Sequence, residues 1–176
     1  MDLFSLGIRF AIVAVVLVGI MSLATILEND NKASRAVEDF SAIANGVRGA
    51  YAENPSAFSS LSCINTVCTP LIGQVPDDIV DNSGNLQNSP FGMLWAIFAS
   101  DQDTLGVAAF GAPSSACINT TMQIVGYEKI TIDGDSYSQN GSVSGAPEPT
   151  PSAVATSCKR YGDYFQMIVY YRLSGG

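Results

Sequence analysis

Residues 28–52 read ENDNKASRAVEDFSAIANGVRGAYA, and apolar side chains recur in this stretch every three or four residues. This spacing places them on one face of an α-helix, with polar residues largely between them. Pro55 ends the pattern, and no proline precedes it, so we expect one helix over residues 1–52, about 75 Å long at 1.5 Å per residue. The apolar stripe comprises Ala33, Ala36, Val37, Phe40, Ile43, Ala44, Val47 and Tyr51.

The segment before this stretch is apolar on every side. Residues 10–27 read FAIVAVVLVGIMSLATIL and carry no charge. Such a run is long enough to span or nearly span a bilayer, and it is longer than a usual signal-peptide core. The alternatives are a cleaved signal, a transmembrane anchor and a buried helix of an assembly. A helix that is apolar all round must be covered by lipid or by other helices. We therefore divide the chain into an apolar transmembrane or assembly half, residues 1–28, and a globular head, residues 29–176, that includes the amphipathic helix 29–52.

The composition argues against several functions. The net charge is −8 and no basic cluster is present, so nucleic acid is not expected as a partner. Histidine is absent, which removes the commonest general base and the commonest transition-metal ligand. No serine or cysteine can be paired with a base, and no cofactor motif is visible. We expect no enzyme activity, no cofactor and no metal; Asp133-Gly134-Asp135 has too few ligands for a calcium loop and is interpreted as a turn.

The four cysteines are Cys63, Cys68, Cys117 and Cys158. An even number after a membrane-type segment favours two disulfides in an oxidising compartment, with three possible connectivities. We favour Cys63–Cys68, which needs only a short loop, and hence Cys117–Cys158. The rival is a four-thiolate zinc site, but only one of the two pairs has the close spacing that zinc sites show at both ends.

The head combines strand and helix patterns. Residues 91–98 and 104–110 form a candidate hairpin with Trp95 in the core, and a helix is expected over residues 113–125. Strands are expected at residues 127–133 and 163–173, where alternation turns about half of Tyr164, Tyr170 and Tyr171 inward. Residues 139–157 are rich in Gly, Ser and Pro and are predicted to be a flexible loop without core residues.

This plan resembles that of type IV pilins, in particular their b subclass. The resemblance rests on the helix at residues 1–52, the cysteine-containing loop after it, Val75-Pro76-Asp77, Ser89-Pro90-Phe91-Gly92, and the helix-like PSSACINTTMQIV at residues 113–125. It implies an α+β fold: a long N-terminal helix on an antiparallel sheet, with a disulfide-closed C-terminal region. Met1 suits the apolar first residue of mature b-type pilins.

The resemblance implies a structural subunit that polymerises with copies of itself into an extracellular pilus for attachment, aggregation or conjugative contact. The chain would be anchored in the bacterial inner membrane before assembly, and its partners would be a prepilin peptidase and the pilus assembly machinery. The implied assembly residues are Met1, Asp2, Ser5, Arg9, Phe10, Val16, Ile20 and Leu23.

One position departs from the family pattern. The family usually has glutamate at the fifth mature position, and this chain has Ser5. In the filament, Asp2 of a neighbouring subunit is the expected partner of Arg9 instead, with a lipid phosphate as the alternative partner. The other interpretation of Arg9 is that it only lies at the cytoplasmic interface before assembly and follows the positive-inside trend. Three other functions remain open: a type II secretion pseudopilin, a minor pilin-like adhesin, and a membrane-anchored binding module that forms no polymer.

Overall fold

The computed structural model describes residues 3–64, 67–87, 89–160 and 162–173, with side chains described from residue 27 onward. It is an α+β molecule. Helix α1 is continuous over Leu3–Tyr51, which confirms the long N-terminal helix predicted from the sequence. Within the part of the chain whose side chains are described, no helix is long and apolar enough to cross a membrane.

The head is built on one antiparallel sheet of six strands in the order β1-β2-β3-β6-β4-β5. Helices α2–α4 and two short 3-10 segments connect or flank these strands. The bounds are α2 Pro55–Phe58, β1 Ser62–Ile64, a 3-10 turn Thr69–Leu71, β2 Leu94–Ala99, β3 Thr104–Pro113, α3 Ser114–Gln123, β4 Lys129–Ile132, β5 Asp135–Ser138, a 3-10 turn Gln139–Gly141, α4 Pro151–Ser157 and β6 Tyr164–Arg172.

The two faces of the sheet have different surroundings. Along β6, Phe165, Met167, Val169 and Tyr171 are buried, while the alternate residues from Tyr164 to Arg172 are exposed or half-buried. The buried set shares a single hydrophobic core with the amphipathic half of α1. We call the face that packs on α1 the inner face and the opposite one the outer face. The alternation predicted for the final strand is confirmed, with Tyr171 inward and Tyr164 outward.

Most of the predicted elements of the head are present. The hairpin of β2 and β3 pairs Trp95 with Ala109, and Trp95 is buried as expected. The turn expected at Asp133-Gly134-Asp135 joins β4 to β5, and both Asp133 (φ 47°) and Gly134 (φ 95°) adopt the left-handed backbone that tight hairpins require. Strands β1 and β5 were not predicted, because each is too short to show an alternating pattern.

The prediction for residues 139–157 is wrong in one respect. This stretch contains helix α4, whose Val154 is fully buried, and Ala146 is also buried. The helix begins with a recognisable signal, because the Thr150 hydroxyl accepts a hydrogen bond from the Ala153 N–H and Pro151 occupies the first turn. A Gly/Ser/Pro-rich composition therefore did not prevent core contacts, because Ala146 and Val154 are buried within an otherwise polar segment.

Candidate assembly interface

The candidate interface is helix α1, because one half of it carries the head and the other half has the most apolar sequence of the chain. The buried stripe of α1 packs on the head, with a buried residue at every turn of the helix from Ala33 to Val47. Six side chains of the predicted stripe are 0–2% exposed: Ala33, Ala36, Phe40, Ile43, Ala44 and Val47. The ring of Phe40 meets that of Trp95 edge-on, with centroids 5.0 Å apart and planes at 85°. The amphipathic helix is therefore fixed to the inner face of the sheet by aromatic and aliphatic contacts.

Gly46 allows a close approach between α1 and the loop that follows the 3-10 turn Thr69–Leu71. A Cβ at this position would collide with Val75 Cγ1 and with the carbonyl oxygen of Gln74, whereas one at Gly49 would meet only Gln74 Oε1, at 3.5 Å. The two helical glycines thus differ. Gly46 is required by packing, while the environment of Gly49 leaves room for a methyl group.

Helix α3 lies beside α1 and runs in the same direction. Asn119 Nδ2 donates to Asp30 Oδ1 at 2.6 Å, and one turn further along both helices Ser34 Oγ donates to Gln123 Oε1 at 3.3 Å. These contacts tie the predicted second helix to the part of α1 where the buried stripe begins. Near the same region Leu27, Met122 and Val125 are 62%, 41% and 66% exposed.

A carboxylate occupies an unfavourable position on α1. Asp39 is half-buried, and desolvation, followed by the nearby charges of Asp78 and Glu38, raises its pKa to about 6; the Arg35 guanidinium opposes the shift. Glu28 shows the opposite behaviour, because its hydrogen bond and ion pair with Lys32, at 2.6 Å, lower its pKa. Asp39 is therefore only partly ionised near pH 6.

The structure contains the two disulfides that were predicted, Cys63–Cys68 and Cys117–Cys158. The first closes the loop after β1. The second joins α3 to the end of α4, so it links two helices across the segment that was predicted to be a flexible loop. All four sulfurs are accounted for, and the described residues hold no free cysteine and no cluster of three or more ligands for a metal ion.

A polar chain supports α4 and was not anticipated; Tyr137 and Ser157 in it are buried, whereas Asp135 and Arg160 are partly exposed. Tyr137 Oη and Ser157 Oγ are 2.6 Å apart, and Ser157 Oγ donates to Asp135 Oδ2 at 2.6 Å. Arg160 Nη2 binds the same carboxylate oxygen at 2.5 Å. The hydrogen bond from Ser157, with that from Arg160, lowers the pKa of Asp135. The contact joins residues 20–25 positions apart, so no local sequence pattern indicated it.

The predicted assembly residues fall mostly outside what the structure describes. Met1 and Asp2 lie outside the described residues. The backbone of Ser5, Arg9, Phe10, Val16, Ile20 and Leu23 belongs to α1, but their side chains also lie outside the described set. The Arg9–Asp2 pairing and the division at residue 28 remain predictions.

Comparison with known proteins does not assign this chain to a family. No model of a protein family matches the sequence, and no curated protein matches it.

Proposed function

We propose that this protein is the repeating subunit of an extracellular type IV pilus of the b subclass, and that it polymerises through its N-terminal helix. One observation carries the proposal. Helix α1 is continuous over 49 residues, yet among its described side chains the buried stripe begins only at Ala33. The helix therefore continues from Ala33 back to Leu3, and residues 10–27 of this N-terminal stretch contain no charged residue.

The apolar side chains of such an extension must be shielded from water. Shielding apolar surface from water contributes about 25 cal/mol per Å², and an uncharged run of this length is stable only in lipid or among other helices. The same segment serves both needs in turn, since it anchors the subunit in the inner membrane before assembly and packs against copies of itself in the filament. A helical polymer results because each subunit uses one surface to bind a different surface of the next.

The cross-linked head suits a filament outside the cell. Disulfides form and persist in oxidising compartments, and the two in this head stabilise the fold by lowering the entropy of the unfolded chain. Processing by a prepilin peptidase and extrusion by an inner-membrane platform belong to the proposal through the family resemblance. The role is structural, with no catalytic step, cofactor or nucleic acid.

Electron microscopy of sheared surface material tests the proposal. Cells producing the full chain together with pilus assembly proteins should release long filaments that consist of this protein, and a chain lacking residues 1–28 should yield a soluble monomer. A head with both disulfides formed, verified by mass mapping of non-reduced peptides, shows that the truncation has not unfolded the protein. Filaments from the truncated chain would exclude α1 as the assembly element, and full-length protein that stays in the membrane without polymerising would indicate an anchored binding module.

The Arg9–Asp2 pair provides a finer test of the same packing. An unpaired charge buried among apolar helices is strongly destabilising, so Arg9 requires an acidic partner in the filament. Within one helix, residues 2 and 9 are separated by about 10 Å along the axis, which favours pairing between subunits. Arg9→Glu and Asp2→Arg should each reduce piliation, and the double exchange should partly restore it. Unchanged piliation in Arg9→Ala would eliminate the pair.

A further inference from the structure

The outer face of the sheet contains a hollow whose lining includes no residue of α1. It has a volume of about 540 Å³, within the range of small-molecule sites. It lies where the β4–β5 turn meets the start of β6, next to the bulge in β3. Its walls include Thr131, Asp133, Gly134, Tyr164, Gln166 and Ile168. We call it the outer hollow.

Backbone irregularities create the outer hollow. The pairing of β3 with β6 shifts between Phe110 and Ala112, so Gly111 is an extra residue with φ 84°. A Cβ at Gly111 would meet no atom within 4 Å, so the space above this residue is open. Asp133 and Gly134 form the opposite rim, also with positive φ.

Asp133 is held rigidly at this rim. Its Oδ1 accepts a hydrogen bond from the Gln166 N–H at 2.9 Å, its own N–H donates to the Gln166 carbonyl at 3.1 Å, and its carbonyl accepts from Arg160 Nη1 at 3.3 Å. Its Oδ2 is buried and has no hydrogen-bond partner among the described residues. A carboxylate can accept about four hydrogen bonds, so Asp133 has acceptor capacity that the fold does not use, and buried polar atoms normally find a partner.

Three side chains of β6 face the hollow together because they alternate along the strand. Tyr164 is 65% exposed, Gln166 is exposed and Ile168 is half-buried. Tyr164 supplies an aromatic ring, and the Gln166 amide offers both a donor and an acceptor. An exposed aromatic ring, a fixed carboxylate and an amide thus surround one cavity.

From this arrangement we infer that the outer hollow binds a neutral saccharide. The negative face of an aromatic ring attracts the C–H groups on one side of a pyranose, while hydroxyl groups donate to a carboxylate and exchange hydrogen bonds with an amide. The Asp133 carboxylate and the net charge of −8 disfavour anionic ligands. A simple ammonium ion could accept nothing from the Gln166 amide N–H groups, and the Arg160 guanidinium already lies beside Asp133.

The inference deepens the proposed function and rests on it for its biological meaning, since a repeated saccharide site along a filament would provide multivalent attachment. The binding itself requires only the folded head. Oδ2 of Asp133 is buried, so a sugar hydroxyl binds at Oδ1, which accepts one hydrogen bond from the Gln166 N–H and has capacity for a second.

The test is binding by the full chain, purified in a detergent without a sugar headgroup. Saturation-transfer NMR with the methyl glycosides of glucose, galactose, N-acetylglucosamine and N-acetylgalactosamine should detect at least one ligand, with a dissociation constant of about 1 mM for a molecule of this size. No binding by any of the four would overturn the inference, as would binding of choline or of sialic acid in preference to all of them.

Variants locate the site. Tyr164→Ala and Asp133→Asn should each weaken binding at least about tenfold, equivalent to about 1.4 kcal/mol. Tyr164→Phe should bind as the wild type does, because the ring is kept. Leu94→Ala is the matched control, since Leu94 is 60% exposed on the same outer face but does not line the hollow. Equal losses in Leu94→Ala and Tyr164→Ala, or full binding by Tyr164→Ala, would reject the site. Polymerisation is not needed for any of these measurements, so a failed pilus proposal and a failed saccharide site give different results.

Discussion

Helix α1 and the region closed by Cys117–Cys158 both contribute to the core, but they do so in different ways. The inner stripe of α1 places a buried side chain every three or four residues from Ala33 to Val47. After β5, the closed region contributes few buried apolar residues, Ala146 and Val154 among them, and relies on a disulfide and a hydrogen-bonded chain. The first type of packing is periodic and local in origin, while the second depends on residues far apart in sequence. Four changes test whether this difference is real.

Removing the long disulfide should have the largest effect. In the chain-entropy model, Cys117→Ala with Cys158→Ala should destabilise the head by about 4 kcal/mol, and Cys63→Ala with Cys68→Ala by about 2 kcal/mol, because the second loop is much shorter. Urea unfolding of each double variant measures both values. A smaller loss for the long loop than for the short one would mean that the hydrogen bonds and Val154 hold α4 without the cross-link.

A pair of glycine variants tests the tightness of the α1 packing. Alanine is normally favoured over glycine inside a helix by about 1 kcal/mol, so Gly49→Ala should stabilise the protein by up to that amount. Gly46→Ala should instead destabilise it by about 2 kcal/mol, because its methyl group collides with Val75 and the Gln74 backbone. The two melting temperatures should move in opposite directions. If both melting temperatures rose, the loop at residues 74–75 would be able to move away from the added methyl group without a loss of stability.

Ser157→Ala tests the polar chain of the closed region. The variant leaves the Tyr137 hydroxyl without its partner at 2.6 Å, and an unsatisfied buried hydroxyl costs about 1.5 kcal/mol. It also removes the main cause of the lowered pKa of Asp135. Since a carboxyl with a lowered pKa stabilises the fold above its unfolded pKa and loses that contribution as the pH falls, the deficit of the variant should be larger at pH 7 than at pH 3. A deficit independent of pH would assign the whole effect to Tyr137.

Asp39→Asn should have the smallest effect and the opposite sign. The pKa of Asp39 is raised to about 6 in the folded chain, so the ionised form disfavours folding above that pH, and the penalty disappears as the pH falls toward the ordinary value of 3.8. After allowance for solvent screening, the variant should gain about 1 kcal/mol at pH 8 and nothing at pH 3.

Glu53→Gln provides the control for Asp39, because Glu53 is an exposed carboxylate just beyond the end of α1. It should leave stability unchanged within about 0.5 kcal/mol at both pH values. Equal responses of the two variants would attribute the gain to the reduced net charge rather than to the burial of Asp39.

The sequence alone determined the long helix, its buried stripe, the main hairpin, the final strand and the two disulfides. These features follow from local rules: a period of 3.6 along residues 33–51, a period of two along residues 163–173, proline at the helix end, and a short loop between Cys63 and Cys68. Each of these rules involves only residues that are close together in the sequence, so a single sequence is enough to apply it.

The tertiary structure alone decided where α4 packs, how Ser157 joins Tyr137 to Asp135, and why Gly46 cannot be replaced as Gly49 can. It also brought Asp133 from the β4–β5 turn to Gln166 and Tyr164 of β6, which lie about thirty residues away in the chain. Such contacts are set by strand order and register, and the β3 bulge shifts the register by a single residue at Gly111. Pairing between distant strands produces no periodic pattern in the sequence. Each strand keeps its own alternation of buried and exposed residues whichever strand it pairs with.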